Sequence, residues 1–106
     1  MARALVNLPK TARKGEIVTV KALIAHPMET GYRPGPNGTI LPRDIITRFT
    51  CEYAGVLVLD LDLHPAMSAS PYFSFTLRAA ASGPVLLTWS GDGGFHQVET
   101  VQLDVS

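Results

Sequence analysis

A single cysteine, Cys51, among 106 residues leaves no partner for an internal disulfide. A small fold stapled by bridges is excluded, and apolar burial has to make the core. An excess of one charge is missing too, since nine basic and nine acidic side chains cancel. Without a basic stripe, nucleic acid drops out as a partner, because its phosphates require a positive surface. The densest basic stretch, Lys10-Thr11-Ala12-Arg13-Lys14, reads as a solvated turn. No apolar run approaches the ~20 residues of a bilayer-crossing helix, so a membrane role is not expected. Met1 to Asn7 lack the apolar stretch of an export leader, and the sequence by itself predicts a soluble chain. No window of useful length carries the 3.6-residue period of an amphipathic helix.

What is present is period-two alternation in short runs. With 46% hydrophobic and 17% charged residues, the chain reads as one folded domain over 1–106. Val18, Val20, Ala22 and Ile24 alternate with polar or outward residues. So do Ile45, Thr47, Phe49, Cys51 and Tyr53; Phe73, Phe75, Leu77 and Ala79; Val85, Leu87 and Trp89; and Val101, Leu103 and Val105. Ala4, Val6 and Leu8 make a first strand, and Val56 to Leu61 another. Gly55 marks a tight hairpin, Gly83-Pro84 a break, and Gly91-Asp92-Gly93-Gly94 a flexible hairpin tip. About seven short antiparallel strands predict an all-β, immunoglobulin-like sandwich with Trp89 and Cys51 in its core.

Two segments depart from that pattern. Residues 31–42 hold three glycines and three prolines and form a long loop. Val56, Leu57, Val58 and Leu59 make a strand apolar on both faces, where a two-layer sandwich exposes one face to water. Such a strand is either an interface for a partner or is covered by the long loop.

Chemistry finds little support. His26, Cys51, His64 and Met67 supply the residue types of a blue-copper site, and a small copper electron carrier is the alternative reading. Twelve residues separate Cys51 from His64, however, whereas cupredoxins collect Cys, His and Met in one short loop. Parity also turns Cys51 inward, against both metal ligation and nucleophilic catalysis. His26 and His64 each precede a proline and read as ordering a strand exit. Asp60 and Asp62, about 7 Å apart along one strand face, read as a solvated edge rather than an acid/base pair. Neither a phosphate-cradling loop nor a zinc spacing is present. No enzyme, cofactor or metal is expected.

Several short motifs recur in one order. They are Pro9-Lys10-Thr11-Ala12-Arg13-Lys14-Gly15-Glu16, Ala25-His26-Pro27-Met28-Glu29-Thr30-Gly31, Phe49-Thr50-Cys51, Leu63-His64-Pro65-Ala66-Met67-Ser68-Ala69, Pro71-Tyr72 and Thr88-Trp89. Together they resemble the SoxZ subunits of bacterial thiosulfate-oxidising systems over nearly the whole chain. Ser70 departs from the asparagine expected before Pro-Tyr. The resemblance implies an immunoglobulin-like sandwich that pairs with a SoxY subunit. SoxY carries sulfur intermediates on a cysteine in a C-terminal Gly-Gly-Cys-Gly-Gly arm, and this sequence, ending Val101 to Ser106, shows no such arm. It further implies a non-catalytic scaffold with transient contacts to other Sox enzymes, working in the periplasm and exported with its partner. Val56 to Leu59 are the expected partner interface, and His26, Met28 and Glu29 the expected docking loop. Near-zero net charge leaves the isolated chain room to form a homodimer.

Overall fold

The computed structural model describes residues 4–26, 28, 38, 43–63 and 71–106. Among these residues there are eight strands: β1 (Ala4–Asn7), β2 (Thr11–Ala12), β3 (Ile17–Ile24), β4 (Ile46–Tyr53), β5 (Val56–Asp62), β6 (Tyr72–Arg78), β7 (Gly83–Gly91) and β8 (His96–Val105). They form a three-stranded sheet ordered β1-β3-β6 and a five-stranded sheet ordered β2-β8-β7-β4-β5. All pairings are antiparallel except β2 with β8, which is parallel. The molecule is an immunoglobulin-like β-sandwich.

Alternation decides which side faces in. Val18, Val20, Ala22 and Ile24 of β3 are buried and meet Val85, Leu87 and Trp89 of β7 and Leu103 of β8 in one core cluster. Phe49 of β4 is the aromatic hub between the sheets. Its ring stacks on Phe73 of β6 at 4.6 Å, meets Phe75 edge-on at 6.2 Å and tilts against Trp89 at 5.1 Å. Trp89 is fully buried, and its indole N–H has no hydrogen-bond partner among the described residues.

Tyr53 locks β4 to the β6–β7 connection. Its hydroxyl accepts from the N–H groups of Ala80 and Ala81, each at 3.1 Å, and donates to the Ala81 carbonyl. The next two residues, Ala54 and Gly55, take φ of 51° and 83° and close the β4–β5 hairpin. Two consecutive left-handed residues make the turn whose twist matches its strands.

Three expectations need correction. The stretch from Lys10 to Lys14 is more than a solvated turn: Thr11 and Ala12 add a short strand to β8, and Ala12 is buried. Strict parity fails at the start of β4, where Ile45 and Ile46 are both buried and the register against β7 slips between Ile46 and Arg48. Thr47 is thereby accommodated as an extra residue. The Gly91–Gly94 tip is no free loop, since Asp92–Gly94 forms a 3-10 turn bonded back to β4's entry.

Candidate interaction surfaces

β5 is the outer strand of the larger sheet. Its inward residues Leu59 and Leu61 are half-buried against the core. Val56, Leu57 and Val58 are exposed by 63%, 50% and 43%. The doubly apolar pattern arises from a bulge: Cys51 pairs with Leu59 but Glu52 with Leu57, so Val58 has no cross-strand partner. Of the four residues expected at an interface, three present apolar surface and Leu59 belongs mainly to the sandwich. The residues expected to fold over this strand, 31–42, lie outside the described residues save Gly38. At the acidic end of β5, Arg48 donates to both carboxylate oxygens of Asp60 at 2.9 and 2.8 Å. That hydrogen bonding holds the Asp60 carboxyl below the usual range.

At one end of the sandwich, His26, Arg43, Asp44, Asp92, Gly93, Gly94 and Phe95 line an open depression of about 440 Å³. The Met28 N–H donates to Nδ1 of His26 at 3.1 Å. A neutral ring bonded this way carries its proton on Nε2. Nε2 faces the Asp44 carboxylate at 3.7 Å. Phe95 meets the imidazole edge-on at 5.1 Å. Met28 adopts a left-handed φ of 51°, and its thioether accepts from the Ile46 N–H at 3.2 Å. Such a conformation costs a non-glycine residue roughly 1–2 kcal/mol, which the two bonds offset.

Opposite His26, the Asp92 carboxylate accepts from Arg43 Nε and Nη2 at 2.8 and 2.9 Å and from the Ile45 N–H at 3.2 Å. The guanidinium first, and the amide second, hold the Asp92 carboxyl below its ordinary range. Gly91 permits this approach, because a Cβ there would run into the Ile45 carbonyl. His26 and Met28, expected in a docking loop, are both buried, at 6% and 4% exposure, and bond to each other and to the Ile46 amide. Glu29 lies outside the described residues. The rim is made instead by Arg43, Asp44, Asp92 and the glycines. Among the described residues that line it there is no serine, threonine or cysteine nucleophile.

Cys51 is fully buried on β4. Burial first, and the nearby Glu52 charge second, push its thiol up to about 11. A thiol so placed is protonated at neutral pH and closed to solvent. Among the described residues no three His, Cys, Asp or Glu side chains come together as a metal site. His64 and Met67, the other residues of the copper alternative, lie outside the described residues.

Residues 6–102 match the family model of the sulphur oxidation protein SoxZ. The chain belongs to the SoxZ family. As a SoxZ-family member it has a role in sulfur oxidation by a Sox system. A comparison with curated proteins finds no match. Among solved structures, a superoxide reductase (neelaredoxin) from Ignicoccus hospitalis aligns at 15% identity with a TM-score of 0.72. That alignment covers 97% of this chain and 80% of the reductase. The sulfur carrier protein SoxY from Chlorobium limicola f thiosulfatophilum aligns at 17% identity with a TM-score of 0.68, over 97% of this chain and 78% of SoxY. Identities this low establish a shared sandwich and nothing about chemistry.

The Arg43–Asp92 bracket and the Tyr53 clasp were not foreseen. An aspartate opening a Gly-Asp-Gly-Gly turn is a signal for a side chain that braces neighbouring backbone. Its partner, nearly fifty residues earlier, leaves no trace in local pattern.

Proposed function

We propose that this SoxZ-family chain is the non-catalytic subunit of a heterodimer with a SoxY-type sulfur carrier. It docks the carrier through the Val56–Val58 edge of β5 and offers the rim around Asp92 to the enzymes that act on the bound sulfur. The observation that carries this reading is the contrast between its only thiol and its most apolar exposed strand. Cys51 is sealed between the sheets, so the sulfur has to ride on another chain, while β5 presents three aliphatic side chains to an occupant. Burying an exposed aliphatic side chain gains about 1.5–3 kcal/mol, enough for two or three such residues to anchor a complex. The same proposal has the pair working in the periplasm, with this chain exported alongside its partner.

The test is co-expression with the SoxY-type subunit. Leu57→Asp is expected to weaken the complex at least tenfold, which corresponds to about 1.4 kcal/mol. Undiminished co-purification of that variant removes β5 from the interface. After loading with a sulfur donor, mass spectrometry is expected to find the adduct on the partner's thiol; an adduct on Cys51 removes the division of labour.

A further inference from the structure

The amide pattern of β5 says more than its apolar side chains do. The N–H of Leu63 donates to the Thr47 carbonyl at 2.8 Å, so Leu63 points its backbone toward β4. Along an antiparallel ladder inward and outward amides alternate. The N–H and C=O groups of Asp62 and Asp60 therefore face the free edge. Among the described residues nothing pairs with that edge, since β5 ends the sheet order. Natural sheets guard such an edge with proline, lysine and other charges, a bulge or a short strand, and of these β5 has the bulge at Val58 and two aspartates. β5 has seven residues with neither proline nor lysine.

Charge selects what the edge accepts. Both carboxylates lie on the same strand face, two residues apart. Arg48 places both of its hydrogen bonds on Asp60. Asp62, directly across from Arg48 in register, is exposed and accepts no hydrogen bond among the described residues. A second copy of this chain is a poorer fit: antiparallel self-pairing centred on Leu61 sets Asp60 against Asp62 twice, and pairing centred on Leu59 leaves both carboxylates opposite valine with no countercharge. Like charges directly opposite each other destabilise a strand pair. A strand with a lysine or arginine opposite Asp62 and aliphatic residues opposite Val56–Val58 meets both halves of the edge favourably.

We infer that β5 takes its partner by strand addition: a basic, otherwise apolar strand of the carrier subunit extends the five-stranded sheet through the outward amides of Asp60 and Asp62. Main-chain bonds then supply affinity, and the Asp62 pairing sets register and direction. This inference rests on the carrier-subunit reading, and it specifies the mode of contact that reading leaves open.

Three variants and one exchange measurement test it, all with the SoxY-type subunit as ligand. Asp62→Pro deletes an outward N–H and leaves the inward ladder to β4 intact. Its affinity is expected to fall at least tenfold. Asp62→Lys keeps the N–H, reverses the charge, and is expected to weaken binding with a reduced salt dependence. In hydrogen exchange of the unsubstituted complex, the Asp60 and Asp62 amides are expected to slow at least tenfold relative to the free chain. Should Asp62→Pro unfold, the exchange result and Asp62→Lys decide alone. If those amides exchange at free-chain rates in a complex that Leu57→Asp still disrupts, the contact is by side chains and strand addition is wrong. If neither Leu57→Asp nor Asp62→Lys alters affinity and the amides stay fast, β5 is not the contact at all, and the docking surface proposed above falls with it. Sedimentation of the free chain supplies the remaining outcome: a dimer that Asp62→Pro dissociates would make a second copy the occupant and overturn the inference.

Discussion

Cys51 shares the inward side of β4 with Phe49 and Tyr53, and nothing of it reaches water. A neutral, enclosed thiol is a small hydrophobe rather than a reagent. Alkylation of the native chain by a thiol reagent at pH 8 is therefore expected to proceed only as fast as the fold opens, and to become rapid in denaturant. A fast native reaction would place the thiol outside. One residue away from Tyr53, Ala54 holds a left-handed φ of 51°. Alanine there carries a penalty that glycine does not. Ala54→Gly is expected to stabilise the chain by up to about 1 kcal/mol, read as a higher denaturant midpoint with an unchanged slope. The core side of these residues was legible from parity, because a period of two assigns each side chain to one face. The strain was not, because Ala54-Gly55 lacks the Asn-Gly signature of its turn.

At the scale of elements, the irregularities are what shape the surfaces. Five of the expected strands lie close to their expected bounds. The slips fall where register breaks, at Ile46–Arg48 and at Cys51–Glu52. A bulge is a compromise between two neighbouring strands, so no single run of residues announces it. The same limit hid the brace between Arg43 and Asp92, which joins the approach to β4 with the β7–β8 turn. That brace has a pH signature. The Asp92 carboxyl is held below its unfolded value, so its contribution is complete above roughly pH 4, the ordinary aspartate range, and is lost as pH falls through the folded value. Asp92→Asn is expected to be less stable than the parent at pH 7, and the gap is expected to close as pH falls below about 4. Denaturant midpoints of both proteins at pH 7 and pH 3 measure it. A gap that persists unchanged at pH 3 would mean that the carboxylate charge contributes nothing.

On the whole molecule, one sandwich serves chains that handle sulfur and chains that reduce superoxide, so architecture alone does not choose between a scaffold and a metalloprotein. The sequence held the ingredients of both. His26, Cys51, His64 and Met67 are the right types for copper, and the motif order around them is that of a sulfur-oxidation subunit. What separates the readings is the third dimension. Thiolate–copper sites need the sulfur deprotonated and reachable by imidazole. Here the sulfur lies between two sheets with its pKa raised to about 11, while His26 spends Nδ1 on the Met28 amide at the end of the sandwich. Copper binding at such a thiol would require the core to open, so ligation would be coupled to unfolding. Titration of the native chain with Cu(II) is therefore expected to give no intense visible thiolate band, and Cys51→Ala is expected to leave any copper affinity unchanged. An intense band that disappears in Cys51→Ala, with the sandwich still folded by circular dichroism, would restore the electron-carrier reading.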